Sequence, residues 1–299
     1  MRYRLEYAPV WLVVHGIGVL PRSWARALCM ALARLVYLLH GRLRRVGLRN
    51  LEIAFPEKTA AERRRIVKAL FNHLGRQLAE FCLLPSYTKD NVGETVIYDG
   101  FDNFEAAHRR GKGVVILTAH LGGWELGSFV HSLHGHPMHI VVRALDNPYV
   151  DRLVDRYRIL HGNSTLDKLD FARGLLGALR AGETVGILID QNITPPQGVF
   201  VDFFGHKACT AGGLAKVALR TDAAVVPGFT IWDRQLGKYR ISFDPALALI
   251  RSDDEDADII ANTALFTRVI ENYARRYPEQ WLWVHRRWKT RPEGEASLY

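Results

Sequence analysis

The chain is 299 residues long and carries 40 Lys+Arg against 31 Asp+Glu, a formal net charge of +9. That length can bury one sizeable α/β core with an appendage, and the basic balance favours an anionic partner (a nucleic acid, a membrane surface or a phosphorylated substrate) without choosing among them. Three widely spaced cysteines, Cys29, Cys82 and Cys209, argue against a disulfide framework or a zinc site and for a reducing, cytoplasmic face.

The first apolar stretch, YAPVWLVVHGIGVL at 7–20, falls short of the roughly 20 residues a spanning helix needs, and it has no signal-type cleavage site. WARALCMALARLVYLLH follows at 24–40, punctuated by Arg26 and Arg34, and then Arg42, Arg44, Arg45 and Arg49 cluster. The pattern fits an interfacial or shallowly inserted anchor with a basic cytoplasmic flank; the alternative is a buried helix pair with a solvated arginine rim. The expected division is an N-terminal membrane-anchoring helical segment over 1–45 and an α/β domain over 46–299.

Residues 57–84 read as one amphipathic helix, with Thr59 and Glu62 at capping-box spacing and Ile66, Leu70, Leu74, Leu78 and Phe81 on one face. Short β-rich runs then alternate with helical patterns. The strands are VVILT (114–118), HIVV (139–142), VGILI (185–189), AVVPGF (224–229) and YRISF (239–243). Helices are expected over 123–134, 147–161, 168–181, 210–221 and 257–277, the last opening on the acidic run SDDEDAD, which lacks the calcium-loop pattern. The fold class is α/β, a central, mostly parallel sheet flanked by helices.

Within LTAHLGGWELGS (117–128), His120 follows a strand and Glu125 comes five residues later. On a continuous helix they would stand about 140° apart. Gly122 and Gly123 permit a tight turn, so a helix starting near Trp124 can bring the carboxylate back toward the imidazole. A histidine at the carboxyl end of a strand lies where α/β proteins place ligands, and it is suited to deprotonating a substrate hydroxyl; the alternative is a structural histidine. No side chain is placed as a covalent nucleophile: Ser128 stands outside a GxSxG elbow, and Cys209 has no evident partner.

AHLGGWELGS resembles the H(x4)D/E block of glycerolipid-type acyltransferases. In its glutamate form, with GGWE, it is similar to the late acyltransferases of bacterial lipid A biosynthesis, the lauroyl and myristoyl transferases. RLRRVGLRNLEIAFPE (42–57), VVRALDNPYVDRLVDRYR (141–158), LIDQNITPPQGVFVDFFGHKACTAGGLAKVALRTDAAVVP (188–227) and PEQWLWVHRRWKTRP (278–292) resemble that family's blocks in order. The resemblance implies a glycerolipid acyltransferase-like fold and transfer of an acyl chain from acyl-acyl carrier protein, or acyl-CoA, to a hydroxyl of a glycolipid precursor at the cytoplasmic face of the cell inner membrane. His120 is then the base and Glu125 its orienting partner. The same chemistry on a phosphatidylinositol mannoside or lysophospholipid, or a non-catalytic lipid-binding protein, are the alternatives.

Acyl transfer to a bisphosphorylated acceptor also needs oxyanion stabilisation and cations near the strand ends. Arg143, after HIVV, is a candidate for the oxyanion or a phosphate, or else a surface ion pair with Asp146 or Asp151. Asp190 and Gln191 follow VGILI and share the edge of His120 in a parallel sheet; Asp190 holds an arginine or the acceptor, or is a cap. Gly198, Phe203, Phe204 and Gly205 read as a largely apolar loop, and Thr210 precedes AGGLAK, a helix start whose small residues suit an anion, or else an ordinary capped helix under a packed loop. His131, His134, His136 and His139 lack metal spacing. Trp281, Trp283 and Trp288, mixed with Arg286, Arg287, Lys289 and Arg291, suit a membrane-interface belt, or else a core strand with a solvated basic end; no nucleic-acid fold signature accompanies them. No nucleotide or flavin motif is present and no metal is required, so the acyl carrier is a co-substrate and no cofactor is expected.

Overall fold

The computed structural model describes residues 1–167 and 171–299. Four helices come first: α1 (Arg2–Gly18), α2 (Arg22–Leu39), α3 (Gly41–Ala54) and α4 (Ala60–Leu83). The capping box at the start of α4 is closed, with the Glu62 amide donating to Thr59 Oγ1 at 3.2 Å and the Thr59 amide to Glu62 Oε2 at 2.8 Å. Strands and helices then alternate as β1 (Val96–Asp99), α5 (Phe101–His108), β2 (Val114–Thr118), α6 (Trp124–Leu133), β3 (His139–Val142), α7 (Pro148–Arg158), β4 (Ser164–Asp167), α8 (Phe171–Arg180) and β5 (Thr184–Leu188). A hairpin, β6 (Gly198–Phe203) and β7 (His206–Ala211), precedes α9 (Gly213–Thr221), β8 (Ala224–Asp233), β9 (Lys238–Phe243) and α10 (Glu255–Arg276). The start of the helix expected over 168–181 lies outside the described residues.

Seven strands form one sheet in the order β1-β9-β8-β2-β5-β3-β4, every pair parallel except β8 with β9. Successive residues of β2 face opposite ways: Val115 and Leu117 pack with α8, α9 and α10, while Val114 and Ile116 pack with α5 and α6. A strand buried on both faces reads as an unbroken apolar run, which is why β2 stands out in the sequence. The edge strands β1 and β4 and helix α5 were not expected; VIYD and STLD are four residues long, and at least half of each is polar. The apolar loop expected around Phe203 and Phe204 is instead the β6/β7 hairpin, turning through Phe204 and Gly205 with both φ angles positive, at 55° and 76°.

The carboxyl-terminal tryptophans overturn the membrane-belt expectation. Trp281, Trp283 and Trp288 are 1%, 0% and 0% exposed and pack against Phe203, Phe204 and Phe55. They face inward because residues 281–282 run along the end of β2, with Trp281 bridged to Leu121 and the Leu282 amide donating to the His120 carbonyl at 3.0 Å.

Among the described residues no helix is long and apolar enough to cross a membrane. α2 buries Ala25 and Cys29 against α4, and Gly75 permits the close crossing, since a β-carbon there would lie 2.6 Å from the Cys29 carbonyl oxygen. The outward face of α2 carries Trp24, Leu28, Leu32, Leu35 and Leu39, all exposed. The leucines recur at i, i+4, i+7 and i+11, so the apolar stripe of this helix points away from the protein.

Candidate active site

β2 and β5 are neighbours in parallel register with Thr118 opposite Leu188, so His120 and Asp190 each stand two residues past the same rung. His120 Nδ1 donates to Asp190 Oδ1 at 2.8 Å, and the His120 backbone amide donates to Oδ2 at 3.0 Å. Trp281 Nε1 donates to the same Oδ2 at 2.8 Å. Burial, the largest single influence, would raise the Asp190 carboxyl, but three N–H donors and the charge of the His120 imidazole that carries one of them keep it below its ordinary range. The imidazole is moved the other way. Burial pulls it down, but the charge and hydrogen bond of Asp190, aided by Glu125, outweigh this and hold it above its ordinary 6.5. With the Nδ1 proton fixed on Asp190, Nε2 carries the lone pair and faces Gln191 Nε2 at 3.2 Å.

The turn after His120 depends on Gly122. Its φ is +63°, and a β-carbon there would lie 1.9 Å from the Thr230 carbonyl oxygen on β8. Its own carbonyl accepts from His73 Nε2 at 3.2 Å, a buried imidazole that burial drives down to about 3 and so keeps neutral. Gly122→Ala is expected to lower stability by at least ~2 kcal/mol, combining left-handed strain with a backbone clash. Thermal denaturation checks this; a melting temperature equal to the parent's would remove the glycine from the argument.

The expected contact between Glu125 and the imidazole is absent, and Asp190 occupies that place. Glu125 opens α6, where its carboxylate meets the guanidinium of Arg158 at the end of α7, with Nε to Oε2 at 3.0 Å and Nη2 to Oε1 at 2.5 Å. A two-point fork of this kind fixes both planes, which a long lysine could not do. Arg158 went unrecognised in the sequence because 33 residues separate it from Glu125.

His120, Glu125, Arg158 and Gln191 line one cavity of about 970 Å³. It runs beneath α6 along the sheet, past Thr118 and Leu188 to Ile116 and Gly186, and on to Met138, His131 and Phe243. Away from His120 its lining is largely apolar, with Ile116, Met138, Ile140 and Phe243, and His131 stands among them.

The model of the bacterial lipid A biosynthesis acyltransferases matches residues 2–290. The chain belongs to that family. It is 30% identical to the lipid A biosynthesis palmitoleoyltransferase of Escherichia coli (strain K12), over 97% of this chain and 94% of that protein. The lauroyltransferase of the same strain is also 30% identical, over 97% and 95%, and the myristoyltransferase 26%, over 98% and 91%.

In this lipid A biosynthesis acyltransferase the remaining sequence candidates separate. Gln191 reaches His120, as its shared sheet edge suggested. Arg143 lines the cavity but is 80% exposed, with Asp146 at 3.9 Å, so it stands at the rim and not at the imidazole. Thr210 is fully buried and turned away from the cavity, where it accepts from Arg287 Nη2 and donates to the Ala208 carbonyl; the helix start that lines the cavity is Gly212, Gly213 and Lys216. Arg287, 0% exposed, also donates to the Gln191 and Cys209 carbonyls and ties the hairpin to the strand end.

Proposed function

We propose that this acyltransferase moves a fatty acyl chain from acyl-acyl carrier protein, or acyl-CoA, to a hydroxyl of a lipid A precursor at the cytoplasmic face of the inner membrane. The observation that carries the reading is the Asp190–His120 pair at the ends of adjacent parallel strands, opening on a cavity with a largely apolar lining. His120 Nε2 takes the hydroxyl proton as the hydroxyl oxygen bonds to the thioester carbonyl carbon. The tetrahedral intermediate then expels the thiolate, which receives the proton back from the imidazolium. Arg158, aimed by Glu125, and the uncapped first-turn amides of α6 supply positive charge for the oxyanion or the acceptor. The acyl chain lies along Ile116, Gly186 and Met138, and the outward stripe of α2 rests on the membrane surface.

The test is mass spectrometry of a tetra-acylated lipid A precursor incubated with acyl-carrier-protein donors of graded chain length. A gain of one acyl chain is expected, and no gain with any donor overturns the reading. Gly186 makes the cavity's path specific: a β-carbon there would meet Met138 Sδ at 3.0 Å. Gly186→Val is expected to shift preference toward shorter donors, by roughly tenfold or more per methylene excluded, read as kcat/KM ratios across the same donors.

A further inference from the structure

α2, α4 and the end of β8 meet in a cluster of arginines that the reaction does not use. Arg22 and Arg26 lie one turn apart at the start of α2, and Arg76 projects from α4. The guanidinium carbons of Arg26 and Arg76 stand 4.6 Å and 4.2 Å from the centre of the same ring, Trp232. One carboxylate serves the group. Glu80, 1% exposed, accepts from Arg26 Nε at 2.5 Å, has Arg22 Nη2 at 3.4 Å, and takes the Tyr87 hydroxyl on its other oxygen. Among the described residues Arg76 pairs with no carboxylate, and the buried Arg22 Nε finds no acceptor. Among these described residues Glu80 is the one carboxylate paired with any of the three arginines, so the group keeps an excess of positive charge.

We infer that Arg22 and Arg26, which share Glu80, and Arg76, which shares the Trp232 ring with Arg26, form a binding site for a phosphate group separate from the catalytic cavity. Planar guanidinium forks match phosphate oxygens in pairs, and the unused donors here are already held in place by Glu80 and the indole. Burial holds Arg76 below its ordinary range, and Arg26 and Arg234 add to this while Tyr239 and Glu80 oppose it. The phosphate has two possible sources, a lipid headgroup or the free ion.

Two binding measurements on the full chain test the inference without reading turnover. The first is the thermal shift produced by inorganic phosphate; the second is co-sedimentation with phosphatidylcholine vesicles with and without phosphatidic acid. Arg76→Gln leaves no carboxylate unpaired and is expected to weaken phosphate-dependent binding by roughly tenfold. Arg22→Gln gives an independent reading, and Arg64→Gln, which removes an exposed charge near the start of α4, is expected to bind as the parent does. An effect confined to the vesicles identifies a lipid headgroup, whereas an Arg76-dependent shift with inorganic phosphate identifies a site for the free ion as well. If Arg76→Gln and Arg22→Gln match the parent in both measurements, or if Arg64→Gln loses as much as they do, the site does not exist.

Discussion

Asp190→Asn is expected to reduce kcat by about 10⁴-fold, the size of loss that a wrong imidazole tautomer causes in triad hydrolases. The reason lies in how the two carboxylate oxygens are used. Oδ2 accepts two N–H groups, from the His120 backbone and Trp281, while Oδ1 accepts one, from His120 Nδ1. An asparagine keeps its oxygen where two donors point and turns its amide N–H toward the imidazole. Nδ1 must then accept, the proton moves to Nε2, and the atom that should act as base no longer has a lone pair to offer. The pH profile separates this from general damage. In the parent, His120 is active only when neutral, so kcat/KM should rise with pH through a midpoint above 6.5, because Asp190 holds the imidazolium. In the asparagine variant the residual activity should show that midpoint moved to lower pH. An unmoved midpoint would sever Asp190 from the base.

His120→Ala is expected to cost roughly 10²- to 10⁴-fold in acyl transfer, the usual contribution of a positioned base, with substrate binding largely retained. Stability should change in a pH-dependent way. The raised pKa of His120 means its pairing stabilises the fold fully below 6.5 and loses that contribution as pH rises through the folded value. The lowered pKa of Asp190 makes the opposite contribution, present above 3.8 and lost as pH falls through its folded value. The alanine variant should therefore lose most stability relative to the parent in mildly acidic solution, between those limits. Chemical denaturation at several pH values reads this, and a constant difference across pH would mean the pair is not charged in the native state.

The sequence made the sheet legible through β2, β5 and β8, whose buried runs are unbroken, and it placed His120, Asp190 and Gln191 on one edge. It put the partner of the imidazole at Glu125 because that residue is close in sequence, whereas the carboxylate hydrogen-bonded to His120 is Asp190, 70 residues away and brought alongside only through the β2/β5 register. Local spacing carries no information about which strands become neighbours. The same blindness hid Arg158, and it made a buried tryptophan cluster look like a membrane belt, since both are aromatic runs beside arginines. N-terminal amphipathicity was readable, but the close packing of α2 on α4 that leaves its stripe outward depends on Gly75 of another helix.

The indole that completes the Asp190 environment comes from Trp281, 91 residues further along the chain. A ribosome adds about 5–20 residues each second, so roughly 5–20 s separate the emergence of the acid from that of its last donor. Throughout that interval β2 and β5 can pair, yet the floor beneath their ends is missing. A nascent or prematurely terminated chain therefore carries His120 and Asp190 without the clasp that sets them. The order of the chain thus places the last hydrogen-bond donor to Asp190 among the last of these 299 residues to be made.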